Sequence, residues 1–273
     1  MSDQKLIIGY YRLSMEDDSE GDGRRFYTDG PHIHEHLKEL VCSAGIEDFV
    51  TVGEMSSTSL EHCIRYSSPK EKELSMCFNF HHLKVDYKDG DKWTLAVPDY
   101  KKLKELFMQW QLGMQAGGGW NALFWCNHDQ PRIVSRMGDE GDYWKESAKM
   151  LAGMIHLMRG TPYIYQGEEI GMLNAHYSSI GQYRDVESLN YYQILLGKGR
   201  TEEEALRILA ARSRDNGRTP MQWNSGTYGG FSEAEPWLSL SGAFREEITA
   251  EFQKEDPDSI LSFYKMLISL RKK

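Results

Sequence analysis

Four apolar runs that each end in polar or charged residues constrain this chain more than any other feature. They are Phe49-Val50-Thr51-Val52-Gly53-Glu54, Ser75-Met76-Cys77-Phe78-Asn79-Phe80, residues 122–129 (Ala-Leu-Phe-Trp-Cys-Asn-His-Asp) and residues 161–169 (Thr-Pro-Tyr-Ile-Tyr-Gln-Gly-Glu-Glu). Between them lie stretches of helical character, residues 99–115 and 144–158. Near-continuous apolar strands alternating with helices predict a parallel sheet built from βαβ units. In parallel barrels the site forms at the C-terminal ends of the strands, which is where these acids, amides and histidines fall.

The remaining segments are read by the same rules. Residues 5–11 predict a short strand and the acidic, Gly-rich run 16–23 a loop. Asp29-Gly30-Pro31 turns the chain into a helix over 32–44, with Ile33, Leu37 and Leu40 at helical spacing. A further helix is expected over 201–214, then an irregular segment over 215–242. A last helix over 257–270 carries Ile260, Leu261, Tyr264, Leu267 and Leu270 on one face.

Composition excludes several classes. With 40% hydrophobic and 27% charged residues the chain can bury a core, so disorder is not expected. A net charge of -9 argues against nucleic acid as a partner, because affinity for phosphate backbones comes from clustered Lys and Arg. Cys42, Cys63, Cys77 and Cys126 are widely spaced, with no pattern of metal ligands, and read as free thiols. No metal and no cofactor is expected. The run Leu6-Ile7-Ile8-Gly9 is too short for a signal peptide, and no stretch approaches the roughly 20 apolar residues of a membrane span. A cytoplasmic protein without a membrane partner is expected.

Two segments concentrate chemistry. Val52-Gly53-Glu54 sets a carboxylate at the tip of a strand, where burial would keep it protonated as a general acid. A solvated or salt-bridged glutamate is the alternative. Asn127-His128-Asp129-Gln130-Pro131-Arg132 gathers an amide, an imidazole, a carboxylate and a guanidinium, a set costly to desolvate unless satisfied or bound to something polar. Its alternative is a capped turn in which Asp129 accepts from backbone N–H groups ahead of Pro131.

Residues 121–136 resemble the seventh-strand motif of the α-amylase family, in its α-glucosidase branch. Residues 51–58 resemble that family's fifth-strand motif, and residues 161–172 and 213–223 its eighth strand and following loop. The resemblance runs from about Gly21 to the C-terminus. It implies an α/β fold, part of a (β/α)₈ TIM barrel holding about strands five to eight without the N-terminal half. It also implies Glu54 as general acid/base, Asp129 as the carboxylate that stabilises an oxocarbenium-like transition state, and His128 as donor to a sugar hydroxyl. Arg132 orients a carboxylate or forms a structural bridge.

Within that branch, residues 78–87 are similar to the sixth-strand region of phosphotrehalases, through His81-His82-Leu83-Lys84. His82 and Lys84 would hold a phosphate dianion with charge-assisted bonds, unless the loop is simply solvated. Residues 21–31 are similar to the loop after the fourth strand there, which adds Arg24 and Arg25. The implied substrate is a sugar phosphate, trehalose 6-phosphate, cleaved to glucose and glucose 6-phosphate. An oligo-1,6-glucosidase-like α-glucosidase and a remnant that only binds sugar are the alternatives.

A retaining mechanism also requires a nucleophilic carboxylate about 5 Å from the acid. The family supplies it from a Gly-x-Arg-x-Asp-type motif, which does not precede Gly21, so the nucleophile is unassigned and turnover by this chain alone is in question. Four βα units do not close an eight-stranded barrel, which leads to an expectation of self-association or pairing with a complementary half-barrel. Residues 1–20 instead resemble the start of a serine site-specific recombinase, with Ser14 in the nucleophile position of Tyr-x-Arg-x-Ser. With charge opposed to DNA binding, recombinase activity is not expected, and the two parts are taken as residues 1–20 and 21–273.

Overall fold

The computed structural model describes residues 29–45 and 48–273. In chain order the elements are α1 (Ile33–Ser43), β1 (Val52–Met55), α2 (Leu60–Ser67), β2 (Met76–Asn79), α3 (Tyr100–Gly117), β3 (Asn121–Leu123), α4 (Ile133–Met137), α5 (Trp144–His156) and β4 (Thr161–Pro162). They continue with α6 (Val186–Gly197), α7 (Glu202–Arg212), α8 (Asp215–Arg218), α9 (Ala250–Glu255) and α10 (Ile260–Arg271). The expected strand over 5–11, the loop over 16–23, Ser14, Arg24 and Arg25 lie outside the described residues.

The chain divides into two compact units. The first takes residues up to His82, Lys101–Ala122 and Arg159–Thr161. Here the strands pair in the order β1-β2-β3-β4, and β1, β2 and β3 are parallel, with Glu54 opposite Phe78 and Cys77 opposite Asn121. The chain therefore has the α/β fold with a parallel sheet that its apolar runs predict. β2 lies between two neighbours and is buried at Met76, Cys77 and Asn79, as a continuous apolar run requires. Against it pack Cys63 and Tyr66 of α2 and Trp110 and Met114 of α3. The helices approach closely because α3 presents glycines: a Cβ at Gly113 would lie 2.4 Å from the Leu60 side chain, and one at Gly117 2.5 Å from that of Ile64.

The second unit takes Leu83–Tyr100, Leu123–Met158 and Pro162–Lys273. Ala148, Leu151, Ala152 and Ile155 form the buried stripe of α5, and Ile260, Tyr264 and Leu267 that of α10, which packs on α5. Arg271 then donates to the His156 and Met158 carbonyls, at 2.6 and 2.9 Å, and so satisfies acceptors freed where α5 ends. A capping box starts α7, where Thr201 Oγ1 accepts from the Glu204 N–H and Glu204 Oε2 from the Thr201 N–H. α6 and α7 bury Tyr192, Leu195, Ala205, Ile208 and Leu209 in one cluster with Trp93, Tyr177 and Tyr183.

Several expectations are corrected. β1 begins three residues later than expected and is exposed at Val52 and Glu54 rather than buried, because it is an edge strand with no outer neighbour among the described residues. The run over 122–129 stays in the ladder only to Leu123 and continues as loop, buried as far as Cys126. In 161–169 the strand is only Thr161–Pro162, with the Tyr163 N–H donating to the Leu123 carbonyl at 2.7 Å, and left-handed Gly167 (φ 87°) turns the chain into the short 3₁₀ turn Glu168–Ile170. Leu270 is exposed, off the buried stripe of α10. Helices α2 and α6 and the short helices α4, α8 and α9 have no counterpart in the sequence reading, α8 lying within the segment expected to be irregular.

Asp86 shows how the segment ahead of α3 is fastened in the second unit. Its carboxylate, 2% exposed, accepts from Arg136 Nη2 at 2.7 Å and Nε at 2.8 Å, and also from Arg212. Burial pushes this carboxyl up, and the two guanidinium groups outweigh that and hold it below the ordinary range. The Asp86→Asn substitution is expected to cost about 3 to 5 kcal/mol, since two buried cations lose their counter-charge. Urea denaturation of the two proteins measures it.

Candidate functional site

Each site residue is set by the end of a strand. Glu54 is the third residue of β1 and is exposed, so the burial expected to keep it protonated is not found. It belongs to the first unit, as does His82, whereas Lys84, His128, Asp129 and Arg132 belong to the second.

His82 is 5% exposed and rests on the Phe107 ring at 5.5 Å, placed as a core imidazole. Its neighbour His81 stacks on Trp110 and approaches the Thr58 carbonyl at 2.9 Å through Nε2. Lys84 closes the 3₁₀ turn His81–Lys84 and is half-buried. Two residues on, Asp86 pins the following backbone as described above.

The segment after β3 runs buried through Phe124, Trp125 and Cys126, with Trp125 Nε1 donating to the Leu151 carbonyl at 2.8 Å. It then turns. Asn127 Oδ1 accepts from the Asp129 N–H at 2.8 Å, so the turn is capped by Asn127 and not by Asp129. The Asp129 side chain is thereby left for other partners. Arg218 Nη2 donates to its Oδ1 at 2.8 Å, Arg214 Nη1 lies 3.5 Å from the same oxygen, and His128 Nε2 lies 3.5 Å from Oδ2. His128 itself is exposed, with 65% of its side chain accessible. Asp129 is half-buried at 30%.

Arg132 takes its structural alternative. It is 1% exposed and donates from Nε to the Asn216 carbonyl at 3.2 Å and from Nη1 to the Gln166 carbonyl at 2.5 Å. Burial lowers its proton affinity, and among the described residues its guanidinium bonds no carboxylate directly. Arg214 and Arg218, which do reach a carboxylate of the site, were missed. The signal was available as two cations on the segment after the fourth apolar run, but spacing alone does not reveal a pairing across some 90 residues, from Arg218 to Asp129.

Below this turn lies a buried acid. Glu168 accepts from the Tyr264 hydroxyl at 2.8 Å, and desolvation pushes it up to about 7, against opposing contributions from Tyr264, Cys126 and Arg132. Among the described residues no group of three or more His, Cys, Asp or Glu is arranged to hold a metal ion.

The chain matches the family described as "Alpha amylase, catalytic domain" over residues 7–273, and it belongs to the α-amylase family. It is 57% identical over 254 residues to the trehalose-6-phosphate hydrolase of Bacillus subtilis, covering 93% of this chain and 45% of that protein. A probable oligo-1,6-glucosidase 2 of the same organism is 45% identical over 267 residues, covering 96% of this chain and 47% of that protein. The crystal structure of Bacillus licheniformis trehalose-6-phosphate hydrolase superposes with a TM-score of 0.89 at 58% identity, over 93% of this chain and 46% of that one. The chain thus spans about half the length of the relatives it matches.

Because a carboxyl raised to about 7 binds its proton more tightly folded than unfolded, Glu168 favours folding at low pH. That contribution is fully present below about pH 4.5 and is lost as pH rises to about 7, a loss of about 3 kcal/mol. Glu168→Gln, which keeps an acceptor for Tyr264, is expected to remove that loss. Its stability relative to the parent should therefore improve between pH 4.5 and 8 in urea titrations.

Proposed function

We propose that this chain carries part of a glycosidase that hydrolyses the α-glucosidic bond of trehalose 6-phosphate, giving glucose and glucose 6-phosphate. The observation that carries the reading is the identity gap: 57% to a trehalose-6-phosphate hydrolase against 45% to an oligo-1,6-glucosidase-type relative. In this reading β1 to β4 are strands five to eight of a (β/α)₈ barrel, residues 21–273 are its C-terminal portion, and residues 1–20 are set apart. The enzyme works in the cytoplasm, and a complementary half-barrel or a second copy covers the open sheet edge.

The chemistry is assigned residue by residue. Glu54, exposed on β1, gives its proton to the departing glycosidic oxygen and takes one from water afterwards. Asp129 stabilises the positive charge that develops at the anomeric carbon, and His128, exposed beside it, donates to a sugar hydroxyl. Lys84, with His82, Arg24 and Arg25, recognises the phosphate. The buried position of His82 makes Lys84 the stronger of the two described candidates.

A second reading is a chain that binds sugar without turning it over: a retaining mechanism needs a nucleophilic carboxylate about 5 Å from the acid, and none of the residues assigned above fills that role.

Turnover of trehalose 6-phosphate and of isomaltose, measured side by side, separates these readings. The expected result is preference for trehalose 6-phosphate, loss of about 10²- to 10⁴-fold in rate on Glu54→Gln, and a KM raised about tenfold to a hundredfold on Lys84→Met for the phosphorylated sugar alone. Preference for isomaltose removes the phosphate reading. Binding by calorimetry without product selects the second reading.

A further inference from the structure

Arg218 commits two nitrogens of its guanidinium to the loop that carries Asp129 and the third to Asp185. Nη2 donates to Asp129 Oδ1 at 2.8 Å, Nε donates to the His128 carbonyl at 2.7 Å, and Nη1 lies 3.4 Å from Asp185 Oδ1. The anchor behind it is firm. Asp185 is the N-cap of α6, its other oxygen accepting from the Ser188 N–H at 3.0 Å and the Ser188 hydroxyl at 2.9 Å. The fork therefore ties the main chain at His128 and the side chain at Asp129 to a helix start.

The backbone next to Arg218 is fitted to the same loop. A Cβ at Gly217 would lie 2.7 Å from the Gln130 carbonyl oxygen and 2.9 Å from that of Asn127, so only glycine allows this approach. Tyr165 holds Gly217 from the other side, its hydroxyl donating to the Gly217 carbonyl at 2.9 Å. The two carboxylate oxygens of Asp129 are consequently unequal. Oδ1 meets Arg218 and, farther off, Arg214, whereas Oδ2 has among the described residues only His128, at 3.5 Å.

We infer that Arg218 is the positioning residue for Asp129: it anchors Oδ1 and leaves Oδ2 as the oxygen presented to the sugar. This rests on the role proposed above for Asp129. Arg214 is the weaker holder, since its Nη1 stands 3.5 Å from Asp129 Oδ1 against 2.8 Å for Arg218 Nη2. A guanidinium fork fixes a carboxylate in direction as well as place, which a lysine ammonium does not.

The test is kinetic, with trehalose 6-phosphate as substrate and four variants: Arg218→Met, Arg218→Lys, Asp129→Asn, and Arg218→Met with Asp129→Asn. Displacing the carboxylate by about 1 Å is expected to lower kcat about a hundredfold with KM unchanged. The double variant should be no slower than Asp129→Asn alone, and Arg218→Lys should fall between parent and Met. Gly217→Ala keeps Arg218 but separates it from the loop, and should reproduce the kcat loss, which keeps the inference testable where Arg218→Met does not fold. An unchanged kcat, a change confined to KM, or losses that multiply in the double variant would overturn it. If the parent turns nothing over, the activity reading fails alone. Positioning is then decided by crystal structures of parent and Arg218→Lys, where an Asp129 carboxylate that keeps its place overturns the inference and a displaced one supports it.

Discussion

The carboxylate of Asp86, held between Arg136 and Arg212, is the interaction on which the second unit depends. It joins the start of the segment 83–100 to α4 and to α7, elements 50 and 126 residues away along the chain. Tyr87 adds its ring between the same two cations, at 5.6 Å from Arg136 and 5.8 Å from Arg212. Arg136 also reaches the Leu83 carbonyl and Gln130, so the pin extends to the loop that carries Asp129. Charges are costly to bury, and this group is satisfied because three of them share one place.

The legible part of the fold is the part that repeats. Helices α1, α3, α5, α7 and α10 come within a few residues of their expected spans because each has an apolar stripe at helical spacing. α2 escapes because it is eight residues long with charged residues through its middle, and α6 because its apolar residues surround it and leave no stripe. The strands were found and their lengths were not. Apolar runs mark burial, and after Leu123 the chain stays buried to Cys126 without staying in the ladder, while after Pro162 it alternates, with Ile164 and Gln166 exposed and Tyr163 and Tyr165 half-buried.

The candidate site divides in the same way. Asp129 and His128 stand in a dense polar cluster, and the structure leaves His128 exposed and Asp129 half-buried with its Oδ1 held by Arg218. Glu54 and His82 differ from expectation in exposure alone: the acid expected to be buried is exposed on an edge strand, and the imidazole proposed for the phosphate lies buried against Phe107. Register decides which way a strand-end residue points, and a one-residue shift exchanges the faces. Arg132 was ambiguous from its type alone, and only the carbonyls of Gln166 and Asn216 assign it.

Three arginines, Arg132, Arg136 and Arg218, together brace the irregular residues 127–132 and the segments beside them. Each spends donors on main-chain carbonyls: Gln166 and Asn216 for Arg132, Leu83 for Arg136, and His128 for Arg218. A loop in this position has carbonyls that no ladder or helix satisfies, and burying them unpaired is costly. A guanidinium offers five donors in a fixed plane, so one side chain can satisfy carbonyls from two segments and fix their spacing at once. The arrangement leaves no periodic trace, which is why motif and not pattern revealed this part of the chain. It also makes the loop stiff without making it regular, and a carboxylate mounted on such a loop can hold one oxygen in place while the other stays open to a ligand.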